Sequence, residues 1–411
     1  MFTRRQFLTH TLKGSSLVAL SAVVPQFVAR TARAAVPGKD NILVVLEMTG
    51  GNDGLNTVIP YADDLYYKAR PTLHQTKDVV LRLDDHVGLH SGMRGFRPLW
   101  EKGQLAVLQG VGYPNPQRSH FEAMDIWQSA DPKGTVRTGW LGRAAVEIDN
   151  RAGGVPILHV GRRDLPLAVT GAPGGGAVSV NDKNSFRLEM AGKEIQKEAR
   201  RRLLADLAAP TGKTGESDLT SFVQRRQVQT LTAIENLREL LEGPKAIPRF
   251  GNGLSQKLQL IAGLIARGFG TRLFYVSLDG FDTHAGQAPA HQRLLADLAD
   301  SVTNFFRTLK STGHDTRVRL MTFSEFGRRV EENDSKGTDH GAASCLFVGG
   351  PGVKGGVVGQ HPSLKDLGDG DLKFNTDFRR VYATLLDGWL GCKSVEVLGD
   401  KFEPLPLLKK A

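Results

Sequence analysis

Short apolar runs that alternate with a helical pattern constrain the fold of this chain most. Residues 273–277 and 318–323 have the length and composition of buried strands. Between them, large apolar residues recur at helical spacing: Leu294, Leu295, Leu298, Val302, Phe305, Phe306 and Leu309. A strand, a helix and a second strand in this order form a unit of parallel sheet. Two earlier apolar runs, 41–46 and 104–109, extend the pattern. The sequence therefore predicts an α/β fold with a doubly wound sheet.

The first 35 residues have the pattern of an export signal. Paired arginines, Arg4 and Arg5, precede an apolar stretch at 17–28 and an Ala-x-Ala pattern that ends at Ala34. We interpret residues 1–35 as a twin-arginine signal peptide cleaved near Ala34. The apolar stretch is too short and too interrupted for a comfortable membrane span. We therefore expect a periplasmic or secreted mature chain, with an uncleaved anchor as the alternative.

Charge and cysteine content exclude several classes of protein. The formal net charge of +10 falls to +5 without the signal, which holds five basic residues and no acid. No basic run with interleaved aromatics is present, so we expect no nucleic-acid partner. The only cysteines, Cys345 and Cys392, cannot form a thiolate zinc site. The expected partners are the twin-arginine export machinery and a small anionic ester, with no stable membrane span after cleavage.

One segment differs in composition from the rest of the mature chain, which we take as a single domain at 36–411. Residues from about 185 to 245 are rich in Glu, Lys, Arg, Gln and Leu, and a linker at 209–218 separates two helical stretches. We predict a helical insertion or cap on one face of the sheet. Ordinary covering helices are the alternative.

Carboxylates and histidines are concentrated near the ends of the predicted strands. The candidates are Glu47, Asp53, Asp279, Asp282, His284, Glu325, Asp339 and His340. Loops that follow parallel strands open on the same edge of a sheet, so these side chains can converge. Mixed carboxylate and imidazole ligands suit zinc, manganese or iron, and an all-oxygen set suits magnesium or calcium. We expect a divalent metal, with zinc, manganese and calcium as candidates. For Asp279 and Asp282, an ordinary turn is the alternative.

A serine lies where a helix is predicted to begin after the second strand. Ser119 suits a helix cap, because its oxygen can accept a backbone amide hydrogen bond. The same position suits a nucleophile, because a helix N-terminus stabilises an oxyanion or a phosphate. Arg118 and Arg143 are candidates for clamping an anion.

Several ordered motifs span nearly the whole chain and resemble one family. They occupy residues 46–56, 118–121, 139–143, 277–287, 324–328 and 337–341. Together with the signal, they resemble a large family of twin-arginine exported bacterial proteins of unknown function. That family is usually grouped with the alkaline phosphatase and sulfatase-like superfamily. The resemblance implies an alkaline phosphatase-like α/β/α sandwich of three layers with a mainly parallel, doubly wound sheet.

The resemblance also implies roles by position. Glu47 or Asp53 would be the first metal ligand, and Ser119 would be the nucleophile. A later Asp with a downstream His would be Asp279 or Asp282 with His284.

Two further positions follow from the resemblance. Glu325 falls where an Asp-His pair belongs, although Arg328 and Arg329 are alternative partners for it. His340 falls where the final His belongs. Phe326 stands in place of a second metal-ligating His, so one of two metal positions would be weakened or missing. In the other register, Asp339 and His340 form the Asp-His pair and His361 is the final His.

Two functions are therefore expected. The first is an exported metal-dependent hydrolase of phosphate or sulfate esters with a reduced metal site. The second is a non-catalytic exported binding or assembly protein that retains the hydrolase fold.

Overall fold

The computed structural model describes residues 41–152, 155–161, 165–171, 177–180 and 253–409. The predicted signal at 1–35 and the predicted insertion at about 185 to 245 lie outside the described residues. Within the described ranges, no helix is both long enough and apolar enough to cross a membrane.

The strands and helices alternate along the described chain. The strands are β1 (Ile42–Thr49), β2 (Val58–Ile59), β3 (Leu81–Arg82), β4 (Gly88–Leu89), β5 (Leu105–Gly112), β6 (Ile157–Val160), β7 (Ala177–Val180), β8 (Leu273–Asp279), β9 (Val318–Phe323), β10 (Ser344–Gly349), β11 (Gly356–Val358), β12 (Leu367–Gly368), β13 (Asp371–Leu372) and β14 (Thr376–Asp377). The α-helices are α1 (Asp64–Ala69), α2 (Arg97–Glu101), α3 (His120–Ser129), α4 (Trp140–Ala152), α5 (Leu254–Ala266), α6 (Gln287–Ser311), α7 (Phe378–Leu385) and α8 (Ser394–Leu398).

One large, mainly parallel sheet organises the molecule. Its strand order is β11-β5-β10-β9-β1-β8-β6-β7, and β14 also pairs with β5. Strand β1 is central and runs parallel to both β8 and β9. Strand β10 is antiparallel to its neighbours β5 and β9, whereas the other pairs in this sheet are parallel. The sheet confirms the predicted α/β class.

Two buried apolar clusters cover the two faces of this sheet. On one face, Val44 and Leu46 of β1 belong to a cluster that includes residues of α5 and α6. On the other face, Leu43 and Val45 belong to a cluster that includes residues of α3, α4 and α7. Successive residues of a strand point to opposite faces, so a continuous apolar run such as β1 fits only a strand covered on both sides. The result is helix, sheet and helix in three layers.

The predicted unit of strand, helix and strand is present. Strands β8 and β9 flank the 25-residue helix α6. Apolar residues at the predicted helical spacing are buried in α6, except Leu294, which is partly buried. Because the parallel strands β1, β5, β8 and β9 end at one edge, the loops that follow them meet there.

Candidate metal centre

Four side chains meet at the carboxyl edge of the sheet. His120 begins α3 after β5, Asp282 and His284 follow β8, and His340 precedes β10. Because β10 runs antiparallel to β9, the loop before it opens on the same edge as the loops after the parallel strands. The strand order thus brings His340 to residues that lie far from it in the chain.

The ligating atoms are close together. His284 Nε2 and His340 Nε2 are 2.9 Å apart, and they lie 3.1 and 3.2 Å from Asp282 Oδ1. His120 Nε2 lies 3.5 Å from the other oxygen of Asp282. His120, Asp282 and His340 can each offer one donor atom within 4.8 Å of the others. We call His120, Asp282, His284 and His340 the histidine centre.

Each histidine of this centre has an oxygen partner on its other ring nitrogen. His120 Nδ1 lies 2.9 Å from Glu325 Oε1, and His284 Nδ1 lies 3.2 Å from Asp339 Oδ1. His340 Nδ1 lies 2.8 Å from the carbonyl oxygen of Arg118. Carboxylate and carbonyl oxygens only accept hydrogen bonds, so each Nδ1 carries the hydrogen and donates. In the neutral imidazole, each Nε2 then presents a lone pair towards Asp282.

Two unprotonated nitrogens at 2.9 Å, each near the same carboxylate oxygen, repel one another unless a proton or a metal ion lies between them, and Arg328 Nη1 lies 3.4 Å from His284 Nε2. A tetrahedral metal ion with bonds of about 2.0 to 2.1 Å holds its ligands roughly 3.3 Å apart, close to the separations of His284, His340 and Asp282. Histidines that ligate metals almost always donate the other N–H to a carboxylate or carbonyl. The histidine centre therefore fits a divalent metal that accepts mixed nitrogen and oxygen ligands, such as zinc or manganese.

A buried arginine stabilises the anionic member of the histidine centre. Arg328 Nη2 donates to Asp282 Oδ1 over 2.7 Å, and the guanidinium also donates to the carbonyl oxygens of Gly50, Gly51, Phe281 and Thr338. Burial raises the pKa of Asp282, but the hydrogen bond and the positive charge of Arg328 bring it down to about 2. Asp282 is therefore ionised at neutral pH. The sequence-based alternative paired Arg328 with Glu325, whereas the structure pairs it with Asp282.

Phe326 lies against the imidazole rings. Its ring centroid is 4.9 Å from that of His120 and 4.6 Å from that of His340. A side chain at Gly51 would collide with the Phe326 ring, and Gly51 has a φ of +77° that favours glycine. An apolar ring thus occupies the position where a second ligating His was expected.

Glu47 lies on β1 in a separate, buried acidic environment. It accepts hydrogen bonds from the Tyr275 hydroxyl and from Thr49 Oγ1. Burial, opposed by the Tyr275 hydrogen bond and reinforced by the charges of Glu325 and Asp279, raises the pKa of Glu47 to about 7. Glu325 itself accepts hydrogen bonds from the Gly50 amide and Ser324, so it connects this environment to His120.

Asp53 has different neighbours. It forms an ion pair with Arg70 at 2.6 Å, and neither side chain has any exposed surface. Gln287 Nε2 and the Asn56 amide donate to the same carboxylate. Burial opposes ionisation, but Arg70 holds the pKa of Asp53 down to about 2. Asp53 therefore stabilises the loop after β1 and does not join the histidine centre.

The three residues predicted to act on substrate differ in their surroundings. Ser119 is exposed at the N-cap of α3 but makes no capping hydrogen bond there, so the predicted cap does not form. It lies in sequence between Arg118, whose carbonyl accepts from His340, and His120. The Arg118 side chain binds Asp369 and Asp371.

Arg143 is directed away from this role. It donates to the backbone carbonyls of Thr138, Val397 and Ser129, which ties α4 to its neighbours. The structure provides no support for Arg143 as an anion clamp.

Sequence reasoning does not single out His120 and offers both His340 and His361 as the final His. The place of His120 after β5, one residue beyond the predicted nucleophile, nevertheless puts it at the carboxyl edge. His361 Nδ1 lies 2.8 Å from the Pro362 carbonyl, and His361 is not part of the histidine centre. The arrangement favours the register in which His340 is the final His.

Fold and site together define an α/β protein with a histidine and carboxylate centre at the carboxyl edge of a mainly parallel sheet. The chain belongs to the family described as "Protein of unknown function (DUF1501)", whose model matches residues 40–390. A search of curated proteins found no match.

Several solved structures align with the chain at low identity. A sulfatase, PsFucS1 from Pseudoalteromonas sp., is 12% identical with a TM-score of 0.38, over 93% of this chain and 73% of the sulfatase. Alkaline phosphatase from the Antarctic bacterium TAB5 is 12% identical with a TM-score of 0.36, over 76% of this chain and 93% of the phosphatase. The lipoteichoic acid synthase LtaP from Listeria monocytogenes is 7% identical with a TM-score of 0.32, over 77% of this chain and 70% of LtaP. At these TM-scores the alignments carry no argument. The fold class follows from the strand order, and the candidate chemistry follows from the histidine centre.

Proposed function

We propose that the chain is an exported hydrolase of phosphate or sulfate monoesters that holds one divalent metal ion in the histidine centre. One observation carries the proposal. The Nε2 atoms of His284 and His340 face each other at 2.9 Å beside the Asp282 carboxylate, while their Nδ1 atoms donate to oxygens on the outside. A divalent ion between the nitrogens would stabilise this arrangement.

Asp282, His284 and His340 would hold the ion, with His120 as a further ligand on the side of α3. A divalent ion there would act as a Lewis acid towards the oxygens of an anionic ester. Glu325 and Asp339 orient His120 and His284, which keeps their Nε2 lone pairs directed inwards. Arg328 adds a fixed positive charge beside Asp282. With Phe326 in place of a second ligating His, a single ion is the expected stoichiometry.

Ser119 is the proposed nucleophile. It is exposed, has no capping bond, and lies at the N-terminus of a ten-residue helix whose dipole favours a negative charge. Its hydroxyl would lose a proton, and its oxygen would bond to phosphorus or sulfur. The ester oxygen would leave as the alcohol after taking up a proton, and water would then release the inorganic anion from Ser119.

Elemental analysis by mass spectrometry tests the centre. The mature chain, prepared without a metal-binding tag, should carry one equivalent of metal. A His284→Ala, His340→Ala double variant should lose it while remaining folded by circular dichroism. His361→Ala is the matched control and should retain metal. Metal-free protein after incubation with zinc, manganese and calcium would refute the proposal.

Turnover of phosphate and sulfate monoesters tests the chemistry. Ser119→Ala should retain metal and lose turnover, because only the attacking oxygen is removed. Turnover retained by Ser119→Ala would overturn the nucleophile assignment.

A non-catalytic binding protein is the second candidate. One observation favours it. The Phe326 ring and the Arg328 guanidinium lie beside the histidine centre, where a second metal ion would otherwise bind. Metal binding and anion binding without turnover of any monoester would support it.

Export is the proposed route to the site of action, since residues 1–35 carry the twin-arginine pattern. Fractionation of cells that make the full-length chain tests it. Arg4→Lys, Arg5→Lys should leave the protein in the cytoplasm, and an unchanged distribution would contradict the proposal.

A further inference from the structure

A groove adjoins the histidine centre. It has a volume of about 620 Å³, and it runs between the loop after β5 and the hairpin formed by β12 and β13. Its walls are mainly apolar, with Tyr113, Phe326, Leu372 and Phe374, and its charged members include Arg118 and Asp371. Pockets of a few hundred to about a thousand Å³ with apolar walls and a few polar groups are typical of small-molecule sites. We call it the hairpin groove.

Two residues connect the hairpin groove to the histidine centre. Phe326 lines the groove and packs on the rings of His120 and His340. Arg118 lines it as well, and its carbonyl oxygen accepts the hydrogen bond from His340 Nδ1. A molecule with one end at the histidine centre would therefore have its remainder in the groove.

The hairpin is fixed to Arg118 at its tip. Asp369 and Gly370 have positive φ values of 53° and 81°, as expected for a two-residue hairpin turn. Asp369 Oδ2 accepts from Arg118 Nη1 over 2.9 Å, and Asp371 Oδ2 accepts from Arg118 Nε and Nη2 over 2.9 and 2.6 Å. This wall of the groove is therefore held in place by the residue that also contacts His340.

One buried acceptor in this wall has no partner among the described residues. The Asp371 side chain is 5% exposed, and its Oδ1 accepts no hydrogen bond from the described part of the chain. Burial raises the pKa of Asp371 even though Arg118 opposes this. An unpaired buried carboxylate oxygen is costly, and a donor from a ligand would relieve that cost.

We propose that the hairpin groove binds the alcohol part of the ester substrate, and that this part is a bulky, hydroxyl-bearing group that donates a hydrogen bond to Asp371 Oδ1. The inference rests on the proposed function, because the phosphate or sulfate end would lie at the histidine centre. The apolar walls contact the carbon skeleton. Because Oδ1 is covered, ligand binding requires the carboxyl group to turn within its pair with Arg118 to receive the donor. Asp371 is thus a specificity-determining residue.

Esters that differ only in size and hydroxyl content test this inference. The probes are glucose 6-phosphate, cyclohexylmethyl phosphate and methyl phosphate, together with the corresponding sulfates, with the metal-loaded full-length mature chain. The parent should prefer the glucose ester over the cyclohexylmethyl ester in kcat/KM, and both over the methyl ester. Asp371→Asn puts a donor amide where Oδ1 accepts, so the preference for the hydroxylated ester should fall about tenfold.

Two further variants separate the groove from the hairpin and from the histidine centre. Asp369 is the exposed aspartate that also pairs with Arg118. Asp369→Asn should keep the preference for the glucose ester over the cyclohexylmethyl ester. Ala342→Leu narrows the groove and should reduce kcat/KM for both bulky esters at least tenfold, with little change for methyl phosphate. Metal content and binding of inorganic phosphate should stay at parental levels in all three variants.

The outcomes separate the two proposals. The groove assignment is overturned if kcat/KM is equal for the three esters, or if Asp371→Asn keeps the parental preference for the glucose ester. Either result leaves the hydrolase proposal intact. Absence of turnover of every ester by metal-loaded parent overturns both.

Discussion

Loss of the carboxylate behind His284 should weaken metal binding without abolishing it. Asp339 Oδ1 accepts from His284 Nδ1 at 3.2 Å and also accepts from Asn333 Nδ2 at 3.1 Å. Outer partners of this kind change metal affinity by about 10 to 100-fold. The His284 and Asp339 side chains are 44% and 57% exposed, so solvent screens the interaction and the lower end applies. Asp339→Asn should therefore raise the metal Kd about tenfold, or about 1.4 kcal/mol.

The assay is competition with a chromogenic chelator, checked by isothermal titration calorimetry. Asp334→Asn is the matched control, because it removes an exposed carboxylate from the same loop. His340→Ala gives the response to loss of a ligand. The reasoning fails if Asp339→Asn binds metal within twofold of the parent. It also fails if Asp334→Asn weakens binding equally, since the effect would then arise from general charge and not from the His284 contact.

Two further predictions concern stability. Arg70→Met leaves the buried Asp53 carboxylate without its partner and should lower the free energy of unfolding by about 3 kcal/mol in urea titrations. A loss below about 1 kcal/mol would contradict the buried pair, and adding Asp53→Asn should restore part of the loss. Burial lowers the pKa of His90 to about 3 and of His291 to about 4, below the 6.5 expected when unfolded. The unfolded chain therefore binds more protons below pH 6.5, so stability should fall as pH drops from 6.5 towards 4, by up to about 1.4 kcal/mol per pH unit for each histidine. The measurement is the urea midpoint against pH, and a His291→Gln variant with an unchanged slope would refute the assignment.

The strand pattern carried most of what the sequence could predict. Continuous apolar runs identify strands buried on both faces, so β1, β5, β8 and β9 fall at or near their predicted places. The rule that parallel strands share a carboxyl edge then places Asp282 and His284 near one another. It also extends to His340, because the loop before an antiparallel strand opens on that same edge.

Pairings between distant side chains were beyond the sequence. Asp53 looked like a ligand because it follows β1, but its partner Arg70 lies at the end of a short helix and no local pattern connects the two. Proximity in the sequence pairs Arg328 with Glu325, whereas the fold directs the Arg328 guanidinium to Asp282. His120 was missed because a residue at a helix start has no periodicity that distinguishes a ligand from a capping neighbour.

The histidine centre draws on loops that follow β5 and β8 and on the loop that precedes β10, so its occupancy is linked to folding of the sheet as a whole. An ion that binds the native chain and not the unfolded one adds RT ln(1 + [ion]/Kd), about 2.7 kcal/mol at a hundredfold excess over Kd. Thermal denaturation of the full chain would then report metal supply. Without a bound ion at the histidine centre, the chain would present a larger unfolded fraction to proteases, even with its sequence unchanged.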